Sequence, residues 1–235
     1  AGDFCSRSAH LNSVHAQTEP AASASGLDET YLYISARDLN SVIKVRRRDG
    51  RIVWILGGEH SDFSLVASDD RLDNGHPSSV GGSLFYGQGS VTKLDGDSLL
   101  LFDNGYDRSS SERSTGGGSA QNQSGVFRHH SRMLVVAFDE AERVASARGT
   151  FSTGLDSAVY GSAIRLPTGN TLGSAWPHDV TRGGQTTDDS RYDAVVYEAH
   201  PSGRLAWKLG VLGGVLNVRS DKRQCVSVFR RIRLI

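Results

Sequence analysis

The sequence predicts an all-β protein assembled from repeated sheets, and three observations carry that expectation. Short runs rich in β-branched and aromatic residues alternate throughout with Gly, Ser, Asn and Asp, the residues of turns. No long window holds apolar residues at the 3.6-residue spacing of a helix face. The segment Arg48-Asp49-Gly50-Arg51-Ile52-Val53-Trp54-Ile55-Leu56-Gly57 returns as Pro201-Ser202-Gly203-Arg204-Leu205-Ala206-Trp207-Lys208-Leu209-Gly210, and such a recurrence marks a repeat architecture.

The clearest strands are Tyr31 to Ser35, Ser41 to Val45, Arg51 to Leu56, Ser98 to Phe102, Met133 to Phe138, Ala194 to Tyr197 and Arg204 to Leu209. Val42-Ile43-Lys44-Val45 precedes the first tryptophan segment and Ala194-Val195-Val196-Tyr197 the second, so each is a hairpin closed by an Asp-Gly or Ser-Gly turn. Asp139-Glu140-Ala141-Glu142-Arg143-Val144-Ala145, after Leu134-Val135-Val136-Ala137, reads as a degenerate third copy without glycine or tryptophan. Further upstream, Thr92 to Leu100 around Asp95-Gly96 matches Ile164 to Leu172 around Thr168-Gly169 as another hairpin. Four strands per unit, repeated radially, are the β-propeller architecture, in which a tryptophan on the last strand packs between neighbouring sheets. The expected domain is a partial propeller over 1–235, with units near 9–58, 88–152 and 160–210 and a closing segment at 211–235. Three units do not close a ring. A chain that opens on Ala1, with neither an initiator methionine nor a basic-then-apolar leader, reads as a fragment of a longer protein.

Composition removes several classes of partner. The 26 basic and 26 acidic side chains cancel, so no overall field draws the chain to nucleic acid or an anionic membrane. Apolar runs such as Leu99 to Phe102 and Met133 to Phe138 fall far short of a membrane span. Cys5 and Cys225 stand near opposite ends, either as free thiols or as a clip across the termini. Asn122-Gln123-Ser124 matches a glycosylation acceptor. Residues 57–87 and 105–131, rich in Gly, Ser, Asp and Asn, are expected as surface insertions. His129-His130 and the Asp69, Asp70 and Asp73 cluster read as solvated rather than as metal ligands, so no metal is expected.

The common catalytic motifs are absent: there is no G-x-S-x-G elbow, phosphate loop, G-x-G-x-x-G or paired C-x-x-C. The first strands of the units, which line the channel of a propeller, begin at His10-Leu11-Asn12-Ser13-Val14, Gln88-Gly89-Ser90-Val91 and Tyr160-Gly161-Ser162-Ala163. That register makes His10, Gly89 and Gly161 equivalent. With Arg37 closing the second strand of the first unit, His10, Asn12 and Arg37 converge near one end of the channel. Imidazole, amide and a forked guanidinium are donors suited to a sulfate or carboxylate. The same groups can instead satisfy backbone carbonyls inside a polar channel.

His10-Leu11-Asn12-Ser13-Val14, Tyr31 to Arg37, Ile52 to Gly58 with Ser61-Asp62-Phe63, and Leu101-Phe102-Asp103-Asn104-Gly105 stand in an order that resembles the arylsulfotransferase (ASST) family of PAPS-independent aryl-sulfate sulfotransferases. Ser227 to Arg233 is similar to that family's closing Tyr-Arg-x-x-Arg segment. The resemblance implies a six-bladed propeller of which this chain is the C-terminal part, and a secreted or extracytoplasmic setting. It implies a two-step exchange in which a channel histidine takes a sulfuryl group from a phenolic sulfate ester and passes it to a phenol, with no cofactor or nucleotide donor. Neutral imidazole is a competent nucleophile, and a sulfohistidine divides one hard displacement into two easier ones. His10, Asn12 and Arg37 match the donors that grip the sulfuryl oxygens and are the expected substrate-binding residues. The family's sulfated histidine follows a glutamine, where this chain has Gln88-Gly89; the nucleophile is missing, and Gly89→His is expected to restore a burst. His178 is the nearest substitute by position. Two other readings stay open: a non-catalytic propeller that binds an anionic aromatic ligand or a protein, and a quinoprotein-like propeller.

Overall fold

A computed structural model describes residues 9–20, 28–66, 84–105, 131–155, 157, 159–176, 194–215 and 227–234. Cys5, Asp69, Asp70, Asp73, Asn122, His129, His130, His178 and Cys225 lie outside the described residues. The first sheet is the meander β1 (Leu11–Glu19), β2 (Glu29–Ala36), β3 (Ser41–Arg46) and β4 (Ile52–Leu56). The second runs β6 (Ser90–Leu94), β7 (Ser98–Asp103), β8 (Arg132–Asp139) and β9 (Val144–Ser152), with β5 (Ser64–Val66) outside β9. The third runs β10 (Ser162–Arg165), β11 (Thr171–Ala175), β12 (Ala194–Ala199) and β13 (Leu205–Val215), with β14 (Ser227–Leu234) outside β13. Each strand expected from sequence falls on one of these, to within two residues at its start. No helix among the described residues is long and apolar enough to cross a membrane.

The sheets join along their first strands. The Val91 N–H of β6 donates to Ser13 Oγ of β1 at 3.0 Å, and the Ala163 N–H of β10 donates to Ser90 Oγ of β6 at 3.1 Å. One serine thus does the same work at both joints, and the sheets fan outward from neighbouring inner strands as propeller blades do.

This placement explains the two apolar runs. Leu99 and Leu101 of β7, with Leu134, Val136 and Phe138 of β8, face the first sheet, whereas Leu100, Phe102 and Met133 face the third. Strands buried on both faces need apolar residues at every position instead of at every second one.

Counting across the ladders from the shared serines aligns Tyr33–Lys44–Trp54 of the first sheet with Leu100–Val135–Gly149 of the second and Leu172–Glu198–Trp207 of the third. Trp54 is fully buried against Tyr33, Phe63 and Phe138, with edge-on ring centroids 5.8, 5.3 and 5.3 Å away. Beside it Lys44, with its side chain 3% exposed, pairs with Glu19 at 2.9 Å and with Glu140 of the second sheet at 2.5 Å, and lies 4.2 Å above the Tyr31 ring. Two carboxylates and an aromatic face compensate an ammonium that could not otherwise be buried.

Two expectations change here. The segment 57–87, expected as a surface insertion, supplies at its described ends the parallel strand β5 and the buried Phe63, Leu84 and Phe85. In the second sheet the outer hairpin is longer than the aligned copies suggest. Its turn has no glycine; Arg143 takes the left-handed backbone (φ 54°) that Gly50 (72°) and Gly203 (79°) take in the other sheets. Asp139 Oδ1 accepts the Ala141 and Glu142 N–H groups, both at 2.9 Å, and holds that turn without it.

Candidate functional site

His10 and Arg37 come together at the start of β1 and the end of β2. The Arg37 N–H donates to the His10 carbonyl at 3.1 Å, which pins the two backbones. Arg37 does not close β2 but opens a single 3-10 turn, Arg37–Leu39, ended by Asn40 in the left-handed conformation. Asn40 Oδ1 in turn accepts the Gly87 N–H at 2.7 Å, tying this corner to the next sheet. The turn brings Asp38 back toward the pair. Its Oδ1 is 2.9 Å from Arg37 Nη1 and 3.6 Å from His10 Nδ1. The guanidinium is largely buried at 11% exposure, while the imidazole is half exposed. Two of the three sequence-predicted donors therefore converge on one oxygen, and that oxygen belongs to the chain's own carboxylate.

Asn12 occupies a different place. β1 shifts register between Leu11 and Ser13, and Asn12 is the extra residue of that bulge. Its amide donates to the Gln88 carbonyl at 2.7 Å and so spans the joint between the first two sheets. The bulge also corrects the register read from sequence. Ser13 and Ser90 do the same job, and Gly89 and Gly161 each stand one residue before their serine, so their counterpart is Asn12; His10 lies two residues further out.

Position 89 is enclosed. The Gly89 N–H donates to the Phe102 carbonyl at 2.8 Å. A Cβ there would lie 2.7 Å from the Gly161 oxygen, 3.0 Å from the Tyr160 oxygen and 3.1 Å from Asn104 Oδ1. A side chain at this position must displace backbone, the Gly161 carbonyl first. Gln88 is fully buried, donating to the Ser41 and Ala36 carbonyls at 2.8 and 3.2 Å.

Sequence reasoning missed the groups that hold this corner. Asn104 donates to the Ser157 and Tyr160 carbonyls, while its Oδ1 is buried without a partner beside Gly89. Asp103, fully buried, pairs with Arg132 at 2.8 Å and accepts the Tyr86 and Gly105 N–H groups at 2.9 and 3.0 Å. Tyr160, 70% exposed with φ 62°, leans on Trp176 with ring centroids 5.0 Å apart. Asp103 and Asn104 stood within a quoted motif; Asp38, adjacent to Arg37, carried no signal beyond its charge.

The family profile described as arylsulfotransferase (ASST) matches residues 9–199, which takes in the inner strands of all three sheets and the His10, Arg37 and Gly89 positions. The chain belongs to the arylsulfotransferase family. Among curated proteins none matches it. For an arylsulfotransferase-like protein the implied small molecules are aryl sulfates and phenols. Among the described residues no three His, Cys, Asp or Glu side chains cluster as metal ligands. His10 and Arg37 present donors that Asp38 already engages, so any anion at this corner competes with Asp38. Partly exposed ion pairs of this kind are worth about 0–1 kcal/mol, so the competition is easily reversed.

Proposed function

We propose that this chain binds an aryl sulfate through His10 and Arg37, with Asn12 holding the adjoining sheet joint through the Gln88 carbonyl, but does not carry out sulfuryl transfer through residue 89. The observation that carries the reading is the closed backbone around Gly89: an absent side chain cannot attack sulfur, and the carbonyls of Tyr160 and Gly161 fill the space a nucleophile would need. The binding half rests on the convergence of imidazole and guanidinium on Asp38 Oδ1. In this reading a sulfate oxygen displaces that carboxylate oxygen and takes the guanidinium hydrogen bond. The setting is secreted or extracytoplasmic, and the units at 9–58, 88–152 and 160–210 with the segment 211–235 act as one partial propeller.

The test has a catalytic arm and a binding arm. Sulfate exchange from 4-nitrophenyl sulfate to a phenol is expected to be negligible for the wild-type chain and for Gly89→His; robust turnover by the wild type overturns the inactive reading. Phenyl sulfate titrated by calorimetry is expected to bind roughly ten- to hundredfold more weakly to Arg37→Ala, since a charge-assisted hydrogen bond contributes about 1.5–3 kcal/mol. Asp38→Asn, which removes the competing charge, is expected to bind severalfold more tightly. Equal affinities across the three proteins remove this corner from the site.

A further inference from the structure

We propose a second binding site, at the opposite end of the strands from His10, that takes a small planar aromatic molecule with an anionic substituent. The row that carries Trp54 in the first sheet and Trp207 in the third carries Gly149 in the second. Nothing in the backbone requires glycine there. A Cβ built on Gly149 meets no atom within 4 Å, and its φ lies outside the left-handed range. Where two sister sheets place an indole, the second sheet leaves a shallow open cleft toward the third.

The walls suit a ring. Leu100, Met133, Val135 and Phe151 line the cleft from the second sheet, and Pro201 and Arg165 from the third. Apolar faces and a thioether sulfur pack favourably on an aromatic plane. The Met133 sulfur is already close-packed over the third sheet: a Cβ on Gly173 would lie 2.3 Å from it. Arg165 supplies the polar end. Its Nη1 donates to the Gly169 carbonyl at 2.7 Å, which holds the guanidinium in place and leaves further N–H groups for a ligand. No carboxylate lines the cleft, whereas Arg165 and His200 both do, so an acidic edge on the ring is favoured over a basic one. Arg165 ends β10, while His10 precedes the start of β1; this cleft therefore does not share residues with the aryl-sulfate corner, and either site can fail without the other.

Met133 makes the test direct, because it is the chain's one methionine and gives a single resonance after methyl-13C labelling. Indole-3-acetate is expected to move that resonance saturably, and indole to do so with several-fold weaker affinity. Arg165→Gln is expected to bring the two affinities together. Gly149→Trp, which builds in the ring, is expected to abolish both titrations while the chain keeps its β-sheet circular dichroism; Gly149→Leu serves the same purpose should the larger side chain prevent folding. A methyl resonance that stays put up to ligand saturation overturns the proposal, and so does a titration that survives unchanged in the folded filled variant.

Discussion

The seam between the first and second sheets and the seam between the second and third are built on the same ladder row, yet one is a dry aromatic core and the other an open cleft. In the first seam Trp54 is boxed by Tyr33, Phe63 and Phe138, and Lys44 is clamped by a carboxylate from each sheet. In the second, Leu100, Val135 and Gly149 stand in those three places and cannot fill the volume. Trp207 completes the series, half-buried on the third sheet with its indole N–H donating to Glu198. Position in a repeat fixes where a side chain points, but its neighbour's complement decides whether it becomes core, lining or surface.

The comparison breaks most easily at Trp54. Trp54→Ala is expected to lower unfolding stability by about 3–5 kcal/mol, the usual cost of removing a large buried ring, while Trp207→Ala costs about 1 kcal/mol. Parallel urea melts of the two variants check this, and equal losses would erase the difference between the seams. A smaller effect of opposite sign is expected at Gly149. Alanine there meets empty space and restricts the unfolded chain, so Gly149→Ala is expected to gain about 0.5–1 kcal/mol in the same melts.

The smallest effect concerns pH. Burial, and then the hydrogen bond to Glu19, push the Tyr33 phenol far above its ordinary range. The folded chain keeps this proton while the unfolded chain releases it near pH 10, so the contribution is intact below about pH 10 and is lost as pH rises beyond it. Tyr33→Phe is expected to show a shallower decline of stability between about pH 10 and 11.5, measured as urea midpoints. A slope identical to wild type would remove Tyr33 as its source.

Much of the architecture was legible because it rests on local patterns. Alternating or continuous apolar runs mark the strands, Gly50 and Gly203 mark the turns, and Trp54 marks a ring that packs between sheets. The middle unit was harder to read. A register shift between Val135 and Val136 and a turn without glycine move its outer row, so that Gly149 and not a residue of the aligned segment stands opposite Val135. The bulge at Asn12 hid the true counterpart of Gly89 in the same way, since one inserted residue looks the same in sequence whether or not it joins the ladder. His10 and Arg37 were found because their chemistry is distinctive. The closure of position 89 was not, because the atoms that close it belong to Tyr160 and Gly161 on another sheet.

The short strand β5 has a consequence of its own. After leaving β4 the chain crosses to the second sheet and lays Ser64–Val66 parallel along β9. An uncovered outer strand offers a row of amide and carbonyl groups on which a stranger's backbone can crystallise into a growing aggregate. Three residues with mostly outward-facing side chains blunt that part of the rim, and the chain guards its middle blade with a thread drawn from the blade before it.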